Sequence, residues 1–404
     1  MKKLLALSLA LVMSLSLVAC GKKDAPSASG SKAPEGSQAE NTDMAVAMIT
    51  DYGDITDQSF NQTTYEACKA YSEATGVQFS YFKPQDNNTA ARVAMVEKAI
   101  DEGYNVIVMP GFAFAGTIHD VQDVYPEVKF VALDVGQFDV EDTFYAHDDK
   151  GNRTDLLDEN NKPHLGENVY CSVYQEELCG YMAGYAAVKL GYKHLGFLGG
   201  MAVPAVMRYG YGFVQGADAA AAEMGITNDV KVEYVYGGQF HGDADITAFM
   251  DNWYQTLGVE VVFAAGGGIF TSAAEAAAKV NGKLIGVDVD QAPSINSAYG
   301  EGMTVTSAMK GLVPTVNLLL NEIAAGNFAN YGGKYETLGL VSGDEPEKNF
   351  VQLPMESTQF AEGFTKEDYV ALVGKLFSQE IKVSGDITAM PEHTITVNDQ
   401  GAIK

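Results

Sequence analysis

The stretch Val106-Ile107-Val108-Met109-Pro110-Gly111 decides the fold of this chain. Four consecutive apolar residues, three of them β-branched, are followed at once by a proline and a glycine. A run this short and unbroken is typical of a strand that is buried on both faces, as in a parallel sheet covered by helices. The stretch therefore predicts a central strand of an α/β domain.

Similar apolar runs recur along the chain, and segments with helical periodicity lie between them. This alternation predicts parallel sheets with helices on both faces. The predicted strands are 44–49, 78–82, 106–109, 129–133, 194–198, 231–236, 259–264 and 283–287. The predicted helices are 60–75, 89–102, 116–125, 176–190, 206–224, 245–257 and 271–280.

The predicted strands fall into two sets, one between 44 and 133 and the other between 194 and 287. Roughly 360 residues follow position 43, which is enough for two domains of ordinary size. Between the two sets, the segment 141–167 is polar and rich in turn residues, so we interpret it as a surface insertion. Its aspartates lack the spacing of an EF-hand loop, and no calcium site is predicted.

The first twenty residues have the layout of a secretory signal, because two lysines precede a short apolar run that ends at Cys20. A cysteine at this position is typical of a bacterial lipoprotein, whose thiol carries the lipid. We expect a lipoprotein signal at 1–20, a flexible linker at 21–43, and an anchor to the outer face of the cell membrane through Cys20. The alternatives are a plain signal peptide or a single membrane helix, for which the run is short.

The chain is strongly acidic, with 53 Asp and Glu against 26 Lys and Arg and a net charge of −27. A surface of this sign repels nucleic acid and anionic lipid headgroups. The composition therefore argues against a nucleic-acid-binding role and against highly anionic ligands.

Three cysteines remain after Cys20, namely Cys68, Cys171 and Cys179. Two of them lie on the inner faces of predicted helices, and no Cys-x-x-Cys or Cys/His cluster indicates a metal. We interpret all three as small buried residues, and we expect no metal and no cofactor.

Polar, aromatic and glycine residues follow nearly every predicted strand. In open α/β sheets, ligands bind outside the carboxyl ends of the strands. Two such lobes facing each other would enclose a ligand between them. Glycine at these points also has a simpler explanation, since it permits tight turns. The segments that follow the strands are 50–53, 110–112, 134, 199–200, 237–240, 265–268 and 288–291.

Several of these segments resemble the basic membrane lipoproteins, the purine-nucleoside-binding proteins of bacterial ABC importers. The likeness runs from about 44 to 383, although Gln58 stands where the family usually has lysine and the loop around Gly266 is shorter. The blocks that carry the resemblance are 57–62 (DQSFNQ), 129–134 (KFVALD), 177–185 (ELCGYMAGY), 196–201 (GFLGGM) with Pro204, 285–291 (IGVDVDQ) and 306–310 (TSAMK).

The resemblance implies a type I periplasmic-binding-protein fold, with two Rossmann-like lobes of parallel sheet and a ligand cleft between them. On this basis we expect lobe 1 to comprise 44–171 and about 290–307. Lobe 2 would comprise 172–289 and about 308–370, and 371–404 would form a C-terminal segment.

The resemblance also implies a purine nucleoside as the ligand. Phe60 and Phe240 match the two phenylalanines that sandwich the base, and Asp134 matches the aspartate that contacts the edge of the base. Asp288 and Lys310 match the residues that hold the ribose hydroxyls, although the two could instead form a structural salt bridge across a hinge.

Five further residues complete the predicted site. Asp51 and the pair Ser59 and Asn61 would add polar contacts, and Gly266 and Gly267 would allow close approach of the backbone. Arg208 and Tyr209 lie where the family often has Arg-Phe, and their role stays open.

The leading hypothesis is a lipid-anchored, monomeric substrate-binding protein that delivers a purine nucleoside to an ABC permease and catalyses no reaction. A second hypothesis keeps the fold and replaces the ligand with a sugar, an amino acid or a signalling molecule. A third is an extracytoplasmic nucleoside hydrolase, because Asp51, Asp134 and Asp288 could supply acid–base groups. No nucleophile motif or metal cluster supports this third hypothesis.

Overall fold

The computed structural model describes residues 43–51 and 53–404. The predicted signal (1–20), its Cys20 and nearly all of the predicted linker (21–43) lie outside this range. None of the helices within it is long and apolar enough to cross a membrane.

Two parallel sheets with flanking helices form two lobes, which confirms the predicted fold class. The strands are β1 (Ala45–Ile49), β2 (Gln78–Phe82), β3 (Val106–Pro110), β4 (Lys129–Leu133), β5 (Tyr145–His147), β6 (Arg153–Leu156), β7 (Val169–Tyr174), β8 (His194–Gly199), β9 (Lys231–Tyr236), β10 (Val261–Ala265), β11 (Lys283–Asp288), β12 (Thr304–Lys310), β13 (Lys334–Leu338), β14 (Val351–Gln352) and β15 (Thr396–Ala402).

The α-helices cover the faces of the two sheets, and short 3₁₀ turns at Phe112–Phe114, Phe328–Asn330 and Pro346–Lys348 and a π-helical turn at Trp253–Leu257 accompany them. The α-helices are α1 (Phe60–Thr75), α2 (Thr89–Asp101), α3 (Ala115–Val121), α4 (Gln137–Asp142), α5 (Glu176–Lys189), α6 (Pro204–Met224), α7 (Ala244–Asn252), α8 (Phe270–Ala278), α9 (Ala292–Tyr299), α10 (Leu312–Ala324) and α11 (Lys366–Phe377).

The first sheet has the strand order β13-β7-β4-β3-β1-β2, and the second has the order β14-β12-β11-β10-β8-β9-β15. All neighbouring strands run parallel except β14, which pairs antiparallel with β12. The opening stretch forms β3, which lies between β1 and β4 and is fully buried, as its unbroken apolar sequence predicted.

All eight predicted strands are present, and each end lies within two residues of its predicted position. The seven predicted helices are present as well. The largest differences are α3, which ends at Val121 rather than at 125, and α7, whose last predicted turn is the π-helical one.

The predicted lobe boundaries are wrong in three places. Strand β12 pairs with β11, so it extends the second sheet, whereas the prediction placed 290–307 in lobe 1. Strand β13 pairs with β7 in the first sheet, although the prediction placed the stretch 308–370 in lobe 2. Strand β7 itself continues past 171, the predicted end of the first part of lobe 1. The end of the segment 371–404 adds β15 to the second sheet beside β9. A strand's own residues do not specify which sheet it joins, since buried strands of both lobes have the same apolar pattern.

The chain crosses between the lobes three times, after β7, after β12 and after β13. Hydrogen bonds tie the crossings together, because the N–H of Gln175 donates to the carbonyl of Leu338 at 2.9 Å and the N–H of Gly311 donates to that of Phe350 at 2.7 Å. A Cβ at Gly339 would lie 1.7 Å from Oε1 of Gln175, so only glycine leaves room for this side chain. These crossings are the hinge between the lobes.

The segment predicted as a surface insertion, 141–167, contains the antiparallel hairpin β5–β6. Asp148 closes its turn by accepting hydrogen bonds from the N–H groups of Lys150 and Asn152 at 2.9 and 2.8 Å. Its aspartates serve the turn geometry, and across the described part of the chain no group of three or more potential ligands could hold a metal ion.

The three cysteines predicted to be buried are buried and unpaired, as expected. Cys68 lies in α1, Cys179 in α5 and Cys171 in β7. Burial raises the pKa of the Cys68 thiol to about 12, which keeps it protonated. These residues act as small apolar groups in the core.

Helices α5 and α6 pack unusually closely, because two glycines on each helix face the backbone of the other. Gly180 and Gly184 lie on α5, and Gly212 and Gly216 lie on α6, with a spacing that puts each pair on one helix face. A Cβ at any of the four would lie 2.0–2.1 Å from a carbonyl oxygen of the opposite helix. The close approach sets the position of the first turn of α5, which carries the buried Glu176.

We predict that Gly184→Ala lowers the free energy of unfolding by about 3 kcal/mol, because the added methyl group forces the two helices apart. Urea unfolding followed by circular dichroism measures this change. The matched control is Gly374→Ala on α11, whose Cβ would meet its nearest atom at 3.2 Å and whose helix propensity would improve. If both variants lost the same free energy of unfolding, close packing of α5 on α6 could not be the cause.

Candidate ligand-binding cleft

A cavity of about 1110 Å³ lies between the two lobes, at the carboxyl ends of the strands of both sheets. Nine of the ten predicted site residues line it, and the tenth, Ser59, is fully buried beside them. The structure therefore brings all ten predicted residues to one place. The nine lining residues are Asp51, Phe60, Asn61, Asp134, Phe240, Gly266, Gly267, Asp288 and Lys310.

The buried Lys310 ammonium, at the end of β12, is the centre of the polar network in the cleft. Its Nζ forms an ion pair with Asp134 across the cleft and lies 3.2 Å from Oε1 of Glu176 and 3.8 Å from Oδ1 of Asp288. The Phe60 ring is 5.1 Å from the same Nζ, a cation–π distance. A buried cation requires such partners, since desolvation without them would cost several kcal/mol.

The ion pair that crosses between the lobes is therefore Lys310 with Asp134. The alternative considered from the sequence was a salt bridge across the hinge between Lys310 and Asp288. These two residues end neighbouring strands of the same sheet, and theirs is the longest of the three lysine–carboxylate distances.

Two further hydrogen bonds join the lobes beside this ion pair. The Ser59 hydroxyl donates to Oδ2 of Asp288 at 2.6 Å, and Nε2 of Gln291 donates to the carbonyl of Gln58 at 3.0 Å. Both bonds connect the start of α1 in the first lobe with the end of β11 in the second. The structure therefore shows the lobes in contact around the site.

The first turn of α1 is arranged so that Ser59 can make its bond to the other lobe. Ser59 is the N-cap residue by backbone geometry, but its side chain makes no capping bond. Asp57 does this instead, and accepts from the N–H groups of Ser59, Asn61 and Gln62 at 2.9–3.0 Å. The serine hydroxyl is thus available to Asp288.

Asp134 and Asp288 have left-handed backbone conformations, with φ of 58° and 65°. Non-glycine residues seldom adopt this conformation, and its cost is on the order of 1–3 kcal/mol at each site. Each aspartate comes at the end of a strand, so the turn directs its carboxylate to the lysine. Strain of this kind is typical of functional sites.

Phe60 and Phe240 line the same cavity from opposite lobes, as the sequence predicted for two aromatic groups of one cleft. Glycines make room for Phe240: a Cβ at Gly200 would lie 2.5 Å from its ring, and one at Gly266 would lie 3.3 Å from it. Gly267 has a φ of 54° and lies beside the Phe240 carbonyl. The two predicted glycines thus support the aromatic ring in addition to lining the cavity.

Two buried acceptor atoms of the predicted residues have no hydrogen-bond partner among the described residues. They are Oδ1 of Asp134 and Oδ1 of Asn61. An unsatisfied buried acceptor costs about 1–3 kcal/mol, so each one favours a ligand that carries N–H or O–H donors. Asp51 lines the same cavity, and Gly111 leaves room for its carboxylate.

Three further residues near Lys310 had no role predicted from the sequence, namely Glu176, Arg208 and Tyr209. Glu176 is fully buried and accepts from Nε of Arg208 at 2.5 Å while it also faces Lys310. The Tyr209 hydroxyl donates to the carbonyl of Ala308 at 3.2 Å, and its ring lies 5.4 Å from the lysine ammonium. Glu176 follows β7, so the same strand-end argument would have found it if that strand had been predicted.

The cavity is more negative than positive. Among the described residues, the basic side chains that line it are Lys310 and Arg208. Its acidic side chains outnumber them, and such a lining disfavours anionic ligands and favours ligands that donate hydrogen bonds. The acidic lining residues are Asp51, Asp54, Asp57, Asp134, Asp139 and Asp288.

Burial raises the pKa of several carboxyl groups in and near the cleft. Desolvation raises the pKa of Asp134 to about 6, although the Lys310 charge opposes this shift. Desolvation also raises the pKa of Asp288 and brings the pKa of Glu177 to about 7. With a pKa of about 6, Asp134 is mostly ionised at neutral pH and can act as a hydrogen-bond acceptor.

Two parallel-sheet lobes with a hinge, and a cleft lined by aromatic and acidic groups from both sides, define a two-lobed ligand-binding protein of the type I periplasmic class. The chain belongs to the family described as ABC transporter substrate-binding protein PnrA-like (Bmp), whose family model matches residues 44–359. The family consists of substrate-binding proteins, so the chain is a binding protein and not an enzyme.

The chain is similar to several known proteins. A Lactococcus lactis subsp. cremoris protein described as "ABC transporter nucleoside-binding protein BmpA" is 24% identical over 337 residues, which cover 80% of this chain and 84% of the relative. A solute-binding protein of an ABC transporter system from Aeropyrum pernix K1 has the same fold, with a TM-score of 0.61 and 21% identity over 85% of this chain and 88% of that one. One from Conexibacter woesei has a TM-score of 0.59, with 21% identity over 85% of this chain and 99% of that one.

We predict that Lys310→Met destabilises the fold by about 3–5 kcal/mol, because it leaves buried carboxylates without their cation. Chemical unfolding of the purified protein measures the change. The matched control is Lys366→Met, which removes an exposed ion pair with Glu356 and should cost less than about 1 kcal/mol. A Lys310 variant as stable as the control would show that the cluster does not depend on the ammonium.

Asp134 should make stability depend on pH in a defined direction. Its pKa is higher in the folded than in the unfolded protein, so its contribution to stability is largest near pH 4 and declines as the pH rises through 6. Asp134→Asn removes this dependence. The free energy of unfolding of the wild type, minus that of the variant, should fall by roughly 1–3 kcal/mol between pH 4 and pH 7. Urea unfolding at several pH values tests this, and a rise over the same interval would contradict it.

Proposed function

We propose that this protein captures a purine nucleoside in the interlobe cleft and delivers it to an ABC permease. The proposal rests on one observation: Phe60 and Phe240 line a single cavity from opposite lobes, and the polar groups of that cavity surround Lys310. A purine base offers two π-faces, and stacking on an aromatic side chain contributes roughly 1–3 kcal/mol. Stacking tolerates every purine, so the aromatic pair would set the class of ligand rather than the base.

The polar groups fit the rest of a nucleoside. The unpartnered acceptors of Asp134 and Asn61 would accept from the N–H groups of the base. Asp288 would accept from ribose hydroxyls while Lys310 donates to them, as the family resemblance implies. Each such bond would satisfy a group that is buried in the cleft, which is worth more than the same bond at the surface.

The charge of the cleft supports a nucleoside rather than a nucleotide. A phosphate would add at least one negative charge near a wall already rich in aspartates. Arg208 and Lys310 are both engaged by Glu176, so neither is available as a dedicated phosphate ligand. A neutral ligand avoids this repulsion.

The similarity to the Lactococcus lactis protein described as nucleoside-binding supports the same ligand class. We further propose that the chain is a monomer anchored through a lipid on Cys20 at the outer face of the cell membrane, with 21–43 as its linker. Closing of the lobes around the ligand is a hinge motion about the three crossings, and the closed form is the one the permease would recognise.

Isothermal titration calorimetry tests the proposed ligand. We expect adenosine, guanosine or inosine to bind with sub-micromolar affinity, while uridine, ribose and the corresponding purine 5′-monophosphates bind much more weakly. Phe60→Ala and Phe240→Ala should each weaken binding by roughly 10- to 100-fold, since each removes one stacking surface. Phe377→Ala, at an exposed ring on α11 outside the cleft, is the matched control and should leave the affinity unchanged.

Three results would contradict the proposal. The absence of binding for every purine nucleoside up to high micromolar concentration would show that the ligand is wrong. Tight binding of ribose alone would favour a sugar-binding protein of the same fold. Slow release of free base from bound nucleoside would favour a hydrolase.

A further inference from the structure

The last part of the chain, residues 381–404, runs over the second lobe and ends at the cleft; we name it the strap. It lies beyond the segment that matches the family model, which ends at 359. It follows α11, crosses α6, adds β15 to the edge of the second sheet and reaches the loop that carries Phe240. We name that loop, 237–242, the Phe240 loop.

Two side chains of α6 hold the strap as it crosses the helix. Gln215 makes a reciprocal pair of bonds with the backbone of Ser384, at 2.9 and 3.0 Å. Oδ1 of Asp218 accepts from the N–H of Thr394 at 2.7 Å, from its hydroxyl at 2.7 Å and from the N–H of Ile395 at 3.0 Å. Ile395 is itself buried in the core of the lobe. These contacts fix the course of a segment that has no secondary structure of its own before β15.

Strand β15 is joined to the lobe by side chains as well as by its pairing with β9. Glu233 on β9 accepts from Nδ2 of Asn398 at 2.9 Å and from Nε2 of Gln400 at 2.5 Å. The indole N–H of Trp253 donates to Oε1 of Gln400 at 3.4 Å. Trp253 is the single tryptophan of the chain, so its fluorescence reports on the docking of the strap.

The end of the strap packs directly on the Phe240 loop. Lys404 forms ion pairs with Asp243 and, at 3.6 Å, with Asp245. Asp243 caps α7 and also accepts from Gln239 at 2.7 Å, so one carboxylate joins the loop, the helix and the strap. A Cβ at Gly238 would lie 3.1 Å from the Lys404 carbonyl oxygen, so the two backbones are in close contact.

The middle of the strap reaches the cleft itself. Ile387 lines the cavity, together with Arg208 at the start of α6 and with residues of the first lobe. Two residues earlier, Gly385 lies against the carboxylate of Glu177, where a Cβ would approach to 3.3 Å. The strap thus supplies an apolar side chain to the lining of the cleft.

We propose that the strap is part of the binding site: Ile387 forms a wall of the cleft, and Asp218 and Lys404 act as positioning residues that hold the Phe240 loop in its binding conformation. The proposal rests on the proposed function, because Phe240 is taken as a stacking surface for the base. A loop held in place before binding loses less conformational freedom when the ligand arrives, and affinity rises accordingly. Residues far from the ligand therefore determine its affinity.

The test combines Asp218→Ala with Lys404→Ala in the full chain and measures three properties. Trp253 emission should change as the strap leaves β9. Hydrogen exchange at the amides of Gly237 and Gly238, which donate to Gly199 and Gly200, should become faster. Inosine affinity by calorimetry should fall roughly tenfold, the result expected if the binding-competent loop is populated about a tenth of the time.

Two further variants separate the parts of the proposal. Ile387→Ala should weaken inosine binding and leave Trp253 emission unchanged, because it alters the wall and not the docking. Asp148→Ala is the matched control, since it also removes an aspartate that accepts hydrogen bonds from three donor groups, here in the hairpin of the first lobe. It should change none of the three properties.

Each other result overturns the proposal. Unchanged Trp253 emission in the double variant would show that these contacts do not hold the strap. In a second case, the strap is released while hydrogen exchange at the Phe240 loop, or the affinity for inosine, stays unchanged. Either result would show that the strap has no part in binding. If the wild-type protein binds no nucleoside, the proposed function is wrong, and the exchange measurement alone still decides whether the strap holds the loop.

Discussion

The structure of the cleft depends on one buried charge, the ammonium of Lys310. A buried ammonium must be compensated by carboxylates, and here they come from both lobes: Asp134 from the first, Glu176 and Asp288 from the second. The requirement explains the strained backbone at the two aspartates, since a left-handed turn is what directs each carboxylate to the lysine. Lys310, Asp134 and Asp288 also line the cleft, so contact between the lobes and the proposed ligand binding would share one network.

The rest of the second lobe supports this network. The close packing of α5 on α6 through glycines places Glu176 and Arg208, one at the start of each helix, within 2.5 Å of each other. Two of the crossings between the lobes lie next to residues of this network. Glu176 comes two residues after β7, and Lys310 ends β12. Rotation about the hinge would therefore change the distance between Lys310 and Asp134.

Local sequence predicted most of the secondary structure, and the reason is clear in particular elements. Strands β2, β4 and β9 and helix α1 have the predicted bounds, because each is an apolar or amphipathic segment between turn residues. Strands β7 and β12 were not predicted. Each contains hydroxyl-bearing residues, such as Ser172 and Ser307, whose side chains are buried only because the neighbouring strands and helices cover them. That burial is a property of the assembled sheet.

The sequence by itself was enough to predict the fold class and the ten residues that gather at the cleft, because a strand end carries its polar group whatever the rest of the fold does, and because the family blocks occur in a fixed order. Only the tertiary structure decided which sheet receives β12 and β13, and that Asp134 rather than Asp288 pairs with Lys310 across the lobes. It also decided that Arg208 and Ile387 line the cleft and that the buried Glu176 faces Lys310. These features depend on contacts between residues far apart in the chain. No local pattern specifies such contacts, since they form only when both lobes are packed and desolvated.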